Sequence, residues 1–253
     1  MIVGVSSWRG TGATTTAVAL AASLATRAQR PWLIEADPAG GVLAARFRRG
    51  ALAAGGLELV AFPDDRESVA ERCARAAADV AGVRIVTAAG DPFRAWACHA
   101  PRTPWAPSLC DLDGPVVVDL GRLRGGTPLQ AVLGQLDVLL LTADADVVSV
   151  VATMEWSAAS GRVAPADAPL PVDITRIAIV DAPTSFDRIG RTDAVAELGD
   201  RFAGWIPWDP EAVRALMNGT SFDDRRLRRS SFVQAAHHLT DRIGEWVRDG
   251  VAA

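Results

Sequence analysis

Apolar residues come along this chain in short unbroken runs, each followed by a stretch whose apolar positions recur at helical spacing. The runs Ile2–Ser6, Pro31–Glu35, Val83–Ala88, Pro115–Leu120, Val138–Thr142, Ile174–Val180 and Ala203–Ile206 read as strands. Val116-Val117-Val118 and Val138-Leu139-Leu140-Leu141 do not alternate, which suits strands covered on both faces. Thr14–Gln29, Asp65–Asp79, Pro128–Gly134, Ala145–Ala158, Thr192–Gly199, Pro210–Asn218 and Ser231–Arg248 are expected to be helices. The alternation predicts an α/β fold: a mostly parallel twisted sheet of about seven or eight strands, flanked by helices on both faces. Ala44–Leu57 and Asp91–Asp113 show no clear order, the second being expected to wrap the surface with a short helix, and Ala164–Pro171 is a Pro/Ala connection. None of them is long enough to mark a boundary, so residues 1–253 read as a single domain.

The first strand and first helix are joined by Ser7-Trp8-Arg9-Gly10-Thr11-Gly12-Ala13-Thr14-Thr15. Strand, Gly-rich turn and Thr-started helix form the geometry that places phosphates on helix N-terminal amides. The chain contains no lysine, however; all 26 of its Lys/Arg residues are arginine. GC-rich coding accounts for arginine on a surface. It does not account for Ala13, because arginine was available there.

Two further loops follow strands and carry acids: Leu33-Ile34-Glu35-Ala36-Asp37-Pro38-Ala39-Gly40-Gly41 and Val116-Val117-Val118-Asp119-Leu120-Gly121. In an open α/β sheet, such loops meet at the carboxyl ends of the strands, where ligands bind. An acid at the end of a buried strand is costly without a cation or hydrogen-bond donors to meet it, so Asp119 reads as a carboxylate facing a magnesium shell.

Other chemistry is poorly supported. The net charge of −4 argues against broad binding to nucleic acid. Cys73, Cys98 and Cys110 lack paired metal spacing and read as reduced thiols of a cytoplasmic protein. Met1–Ser7 has no basic stretch of the kind that opens a signal peptide, and charges interrupt every apolar run before it reaches membrane-spanning length. The arginines of Arg225–Arg229 read as a solvated helix start, and Asp144 and Asp146 as caps of the helix near Ala145. Most tryptophans are assigned to the core or to edge packing. The last helix, with Phe232, Val233, Leu239, Ile243, Trp246 and Val247, reads as core-packed and not as a membrane anchor.

Taken in order, these motifs resemble the MinD/ParA family of deviant-Walker ATPases over nearly the whole chain. That family's first loop is Lys-Gly-Gly-x-Gly-Lys-Thr-Thr. Gly10, Gly12, Thr14 and Thr15 match it, whereas Trp8, Arg9 and Ala13 do not. Glu35-Ala36-Asp37 matches the family's Asp-x-Asp, and Ile206-Pro207-Trp208-Asp209 its Ile-Pro-Tyr-Asp segment beside the adenine. The resemblance implies a nucleotide site of Arg9, Gly10, Thr11, Gly12, Ala13, Thr14, Thr15, Pro207, Trp208 and Asp209. It implies magnesium at Thr14 and Asp119, and Asp37 as the residue that places the attacking water.

The departures fall on charge. The lysine replaced by Ala13 touches the β- and γ-phosphates in the family; the one replaced by Trp8 reaches the partner's nucleotide across a sandwich dimer. A charge-assisted hydrogen bond is worth roughly 1.5–3 kcal/mol, and phosphoryl transfer depends largely on charge neutralisation. The expectation is therefore a pseudo-ATPase of MinD/ParA type, with ATP and magnesium bound weakly. It would act as a positioning or scaffold protein with a protein partner in cell division, chromosome partition, or a pilus or secretion system. The alternative is a slow ATPase using Arg9, backbone amides and magnesium. Arg9 can bind phosphate, bridge Asp37 and Asp119, or point to solvent. Trp8 can form an apolar contact at a homodimer face or pack over the loop. Nucleic-acid and membrane partners are not expected.

Overall fold

The computed structural model describes residues 1–47, 55–62, 66–100, 105–163, 172–181, 183 and 187–251. Its strands are β1 (Ile2–Ser7), β2 (Trp32–Glu35), β3 (Ala78–Val80), β4 (Val83–Val86), β5 (Val116–Arg122), β6 (Val138–Asp144), β7 (Thr175–Val180) and β8 (Phe202–Ile206). Its helices are α1 (Ala13–Ala25), α2 (Leu43–Arg46), α3 (Gly56–Ala61), α4 (Val69–Ala76), α5 (Pro92–Ala97), α6 (Gln130–Leu133), α7 (Val147–Val163), α8 (Arg191–Leu198), α9 (Pro210–Met217) and α10 (Ser231–Val251).

The strands form one eight-stranded sheet in the order β3-β4-β2-β5-β1-β6-β7-β8. All neighbours are parallel except β3 and β4. Successive side chains on a strand point to opposite faces, and the sheet therefore feeds two cores. Val116, Val118 and Leu120 join one with Leu57 and Val60 of α3, Cys73 of α4 and Val150 of α7. Val117, Val3, Val5 and Leu140 join the other with Ala17, Leu20 and Leu24 of α1 and Phe232, Val233 and Leu239 of α10. Burial on both faces explains the unbroken Val and Leu runs.

All seven expected strands form, and β3 is an addition. The expected helix Asp65–Asp79 is described only from residue 66; its helical part, α4, starts on a capping box between Ser68 and Glu71 and stops at Ala76. The chain then enters β3 and turns back through Ala81 and Gly82, both at positive φ (52° and 85°). Two left-handed residues in succession make a tight hairpin of the right twist. Ala-Gly is a weak turn signal beside Asn-Gly, so helical spacing in the alanine-rich stretch masked the reversal.

Other expectations need correction. The Ala44–Leu57 stretch holds most of α2 and the start of α3; Asp91–Asp113 holds the expected short helix, as α5, together with a 3-10 turn at Ala106–Asp111, and its Trp105 is buried. Residues 48–54 and 101–104 within these stretches lie outside the described residues, as does the connection 164–171. Asp146, and not Asp144, caps α7: its Oδ1 accepts from the amides of Val148 and Ser149 at 3.0 and 3.2 Å. Trp96 is exposed, contrary to a core or edge assignment. Arg225, Arg226, Arg228 and Arg229 face solvent around the buried Leu227. The last helix packs on the core through Phe232, Val233, Leu239 and Ile243, and among the described residues no helix is long and apolar enough to cross a membrane.

Candidate functional site

The loop after β1 runs along the carboxyl edge of the sheet and is pinned at both ends. The Ser7 hydroxyl accepts the Gly10 amide at 3.0 Å. The buried Thr11 hydroxyl donates to the Thr142 carbonyl on β6 at 2.6 Å. Gly10 and Gly12 both take left-handed backbone, φ 82° and 86°, which lets the chain fold back and start α1 at Ala13. No side chain caps α1, and its first turn holds no acid. Its leading amides therefore remain available to a ligand oxygen. Ala13 itself is 5 % exposed and directs no charge into the loop.

The carboxylates behind this loop have different roles. Glu35 is buried and satisfied: Oε1 accepts the amides of Val42 and Leu43 at 2.5 and 2.8 Å, and Oε2 that of Ala88 at 2.9 Å. Burial pushes its pKa up and those three amides pull it back. Glu35 thus ties β2 to α2 and to the end of β4, a structural task. Asp37 packs on Gly121, where an added Cβ would lie 2.0 Å from its Oδ2. Its Oδ1 accepts the Ala39 amide at 2.8 Å. Burial raises its pKa, and the Ala39 amide and the Arg122 charge oppose the rise.

Asp119 is buried, only 1 % accessible. Oδ1 accepts the Gly121 amide at 3.1 Å, and Oδ2 has no hydrogen-bond partner among the described residues. Burial pushes its pKa up to about 7; the neighbouring Thr14 hydroxyl works against this, and the Glu35 charge works with it. A hydroxyl beside an unpartnered buried carboxylate oxygen is a fitting donor set for magnesium, which takes hard oxygens. Among the described residues no cluster of three or more His, Cys, Asp or Glu can hold a metal alone, so such an ion would depend on ligand phosphates and water.

The nonmatching loop residues separate. Arg9 is exposed and forms no ion pair among the described residues. Trp8 lies flat on Trp156 of α7, ring centroids 4.9 Å apart and 23° between planes. Two other arginines, neither of them part of a motif in the sequence, approach the loop. Arg122, at the end of β5, packs its guanidinium on Gly10, where an added Cβ would lie 2.6 Å from both Nε and Nη2. Arg46, ending α2, donates to the Thr15 hydroxyl at 3.3 Å. The available signal for Arg122 was register: β1 and β5 are parallel neighbours that pair Ser7 with Arg122.

Pro207, Trp208 and Asp209 follow β8, three strands from β1, or roughly 14 Å along the sheet at ordinary strand spacing. Asp209 caps α9 through the Ala212 amide at 2.9 Å and accepts from the Ser230 hydroxyl at 2.7 Å. Trp208 is 57 % exposed.

No family model matches the sequence, and no curated protein does. Solved structures do. The cell division ATPase MinD of Pyrococcus furiosus superposes with a TM-score of 0.72 at 17 % identity, covering 96 % of this chain and 98 % of its own. The fold is that of the MinD/ParA P-loop ATPases. A ParA family ATPase from Chlorobium tepidum gives 0.71 at 14 % identity, with 96 % of each chain covered. The septum site-determining protein MinD of Pyrococcus horikoshii, solved with Mg-ADP, gives 0.71 at 17 % identity, covering 100 % of this chain and 98 % of its own. The MinD/ParA likeness thus extends over the full sheet and both helical layers.

Proposed function

We propose that this chain is a MinD/ParA-like pseudo-ATPase that serves as a positioning or scaffold protein in a cytoplasmic assembly of the division, partition, or pilus and secretion type. The observation that carries the reading is Ala13, a buried methyl group at the first position of α1, in a chain with no lysine to take its place. The loop keeps left-handed turns at Gly10 and Gly12 and lacks the lysine that in the resembling family neutralises the transferring phosphoryl group. Trp8, held on Trp156, cannot act as a cation toward a second subunit. Leu59 on α3, Phe62 just after it, and Phe93 and Trp96 on the neighbouring α5 are exposed, which supports a protein partner.

ATP and magnesium are proposed as weak ligands. Thr14 and Asp119 would hold the ion, which would supply charge neutralisation at phosphate oxygens. Pro207, Trp208 and Asp209 would flank the base, and Asp37 would retain a vestigial water-placing position. Calorimetric titration with Mg-ATP, combined with a phosphate-release assay, tests the reading. The expected result is weak binding without turnover; micromolar affinity with steady hydrolysis refutes it.

The unpartnered Asp119 Oδ2 beside Thr14 favours a second reading, a slow ATPase. It predicts that Asp37→Ala abolishes phosphate release while nucleotide still binds. A parent protein that releases no phosphate removes it.

A further inference from the structure

We propose that Arg122 is the cation that engages a phosphoryl group at the Trp8–Thr15 loop, in place of the lysine missing at position 13. The proposal rests on the reading of this loop as a phosphate cradle, and adds the residue that gives it charge. Two observations and one chemical property meet here. The guanidinium lies against Gly10, on the side where a side chain would project. It forms no hydrogen bond or ion pair among the described residues: Asp37 feels its charge but is not bonded to it. A guanidinium presents five N–H donors in a rigid plane, so one resting on Gly10 with no hydrogen-bond partner among the described residues has its recognition capacity unspent.

The second observation that points to a ligand is independent of Arg122. Asp119 Oδ2 is buried without a partner beside Thr14, at the start of the same helix. A phosphate-bound hard cation satisfies that oxygen, and the phosphate answers both the amides and Arg122. Geometry also separates Arg122 from Arg9. Both side chains are solvent-exposed, and Arg9 sits within the loop itself. Arg122 comes from a central strand, and its backbone is fixed by pairing with Ser7. A positioned cation loses less entropy on binding than a free one. Arginine also differs from lysine in kind: it grips two oxygens of one phosphoryl group in a plane.

The test is calorimetric titration of inorganic tripolyphosphate and of Mg-ADP into the full chain at low ionic strength, for the parent, Arg122→Ala and Arg122→Lys. Loss of a charge-assisted contact predicts tripolyphosphate binding weakened by about ten- to a hundredfold in Arg122→Ala. Arg122→Lys should recover part of that loss. The thermal midpoint without ligand should fall only slightly, because the guanidinium makes no protein hydrogen bond among the described residues and what is lost is its packing on Gly10 and the charge it presents to Asp37. If Arg122→Ala proves unstable, Arg122→Gln and Arg122→Lys are read instead. Unchanged binding in the variants overturns the proposal. So does tighter binding, which would make Arg122 a plug, or no binding by the parent at millimolar probe. ATP hydrolysis by the parent would end the pseudo-ATPase reading and leave the Arg122 dependence legible in the binding data.

Discussion

Trp8 and Trp156 stack with their ring centroids 4.9 Å apart, joining the phosphate-type loop to the middle of α7. An indole thus occupies the position of a lysine in the resembling family and spends its face on an intramolecular contact. Offset aromatic pairs contribute about 0.5–1.5 kcal/mol beyond area burial. A double-mutant cycle with Trp8→Ala and Trp156→Ala, followed by urea unfolding, should give a coupling in that range. Additive losses would mean that the two rings are neighbours without mutual stabilisation.

Restoring charge tests the central reading directly. Ala13→Lys, and the double change Trp8→Lys with Ala13→Lys, should raise Mg-ATP affinity about tenfold or more, on the scale of one charge-assisted hydrogen bond. The double variant should also lose the tryptophan stack and melt earlier. Unchanged affinity in both would show that the loop excludes phosphate by shape and that charge is not the limiting factor.

Glu35 looks like a site residue in the sequence and behaves as a structural one in the fold. Its carboxylate answers three backbone amides, and an added Cβ at Gly41 would lie 2.5 Å from Oε2. Leaving a buried donor unsatisfied costs about 1–3 kcal/mol. Glu35→Ala should therefore destabilise by at least about 3 kcal/mol. Glu35→Gln should cost less, since its amide oxygen still serves Val42 and Leu43 while its nitrogen opposes the Ala88 amide. Chemical denaturation of the two variants gives the comparison, and equal losses would contradict this account.

His99 sets a pH dependence. It is half-buried near the Ala36 carbonyl, just before Asp37, and desolvation pushes its pKa down from 6.5 to about 4. Its Nε2 has no hydrogen-bond partner among the described residues. The folded chain binds this proton less readily than the unfolded chain. The stability it contributes is thus complete above pH 6.5 and lost as pH falls toward 4. Between pH 7 and 4 the parent should lose about 2–3 kcal/mol more than His99→Asn, at 1.36 kcal/mol per pKa unit. Parallel stability curves for the two proteins would rule this out.

The amino-acid sequence by itself determined the strand–helix alternation, the continuous strands of a sheet covered on both faces, and a Gly-rich turn without its lysine. These are local properties: hydrophobic period, turn chemistry and residue identity are carried by neighbours in the chain. It also placed Asp37 just past the end of β2, but Asp119, expected at a strand end, lies in the middle of β5, which runs on through Gly121 and Arg122 because pairing with β1 continues beyond the apolar run. It did not place β3, where an Ala-Gly turn reversed what spacing read as helix. Tertiary structure alone decided which arginine meets the loop, what Glu35 binds, and where Trp8 lies. Arg122 approaches Gly10, and Trp156 approaches Trp8, across more than a hundred residues of intervening chain. Such meetings follow from strand order and register, which β1 acquires only when β5 and β6 settle on either side of it.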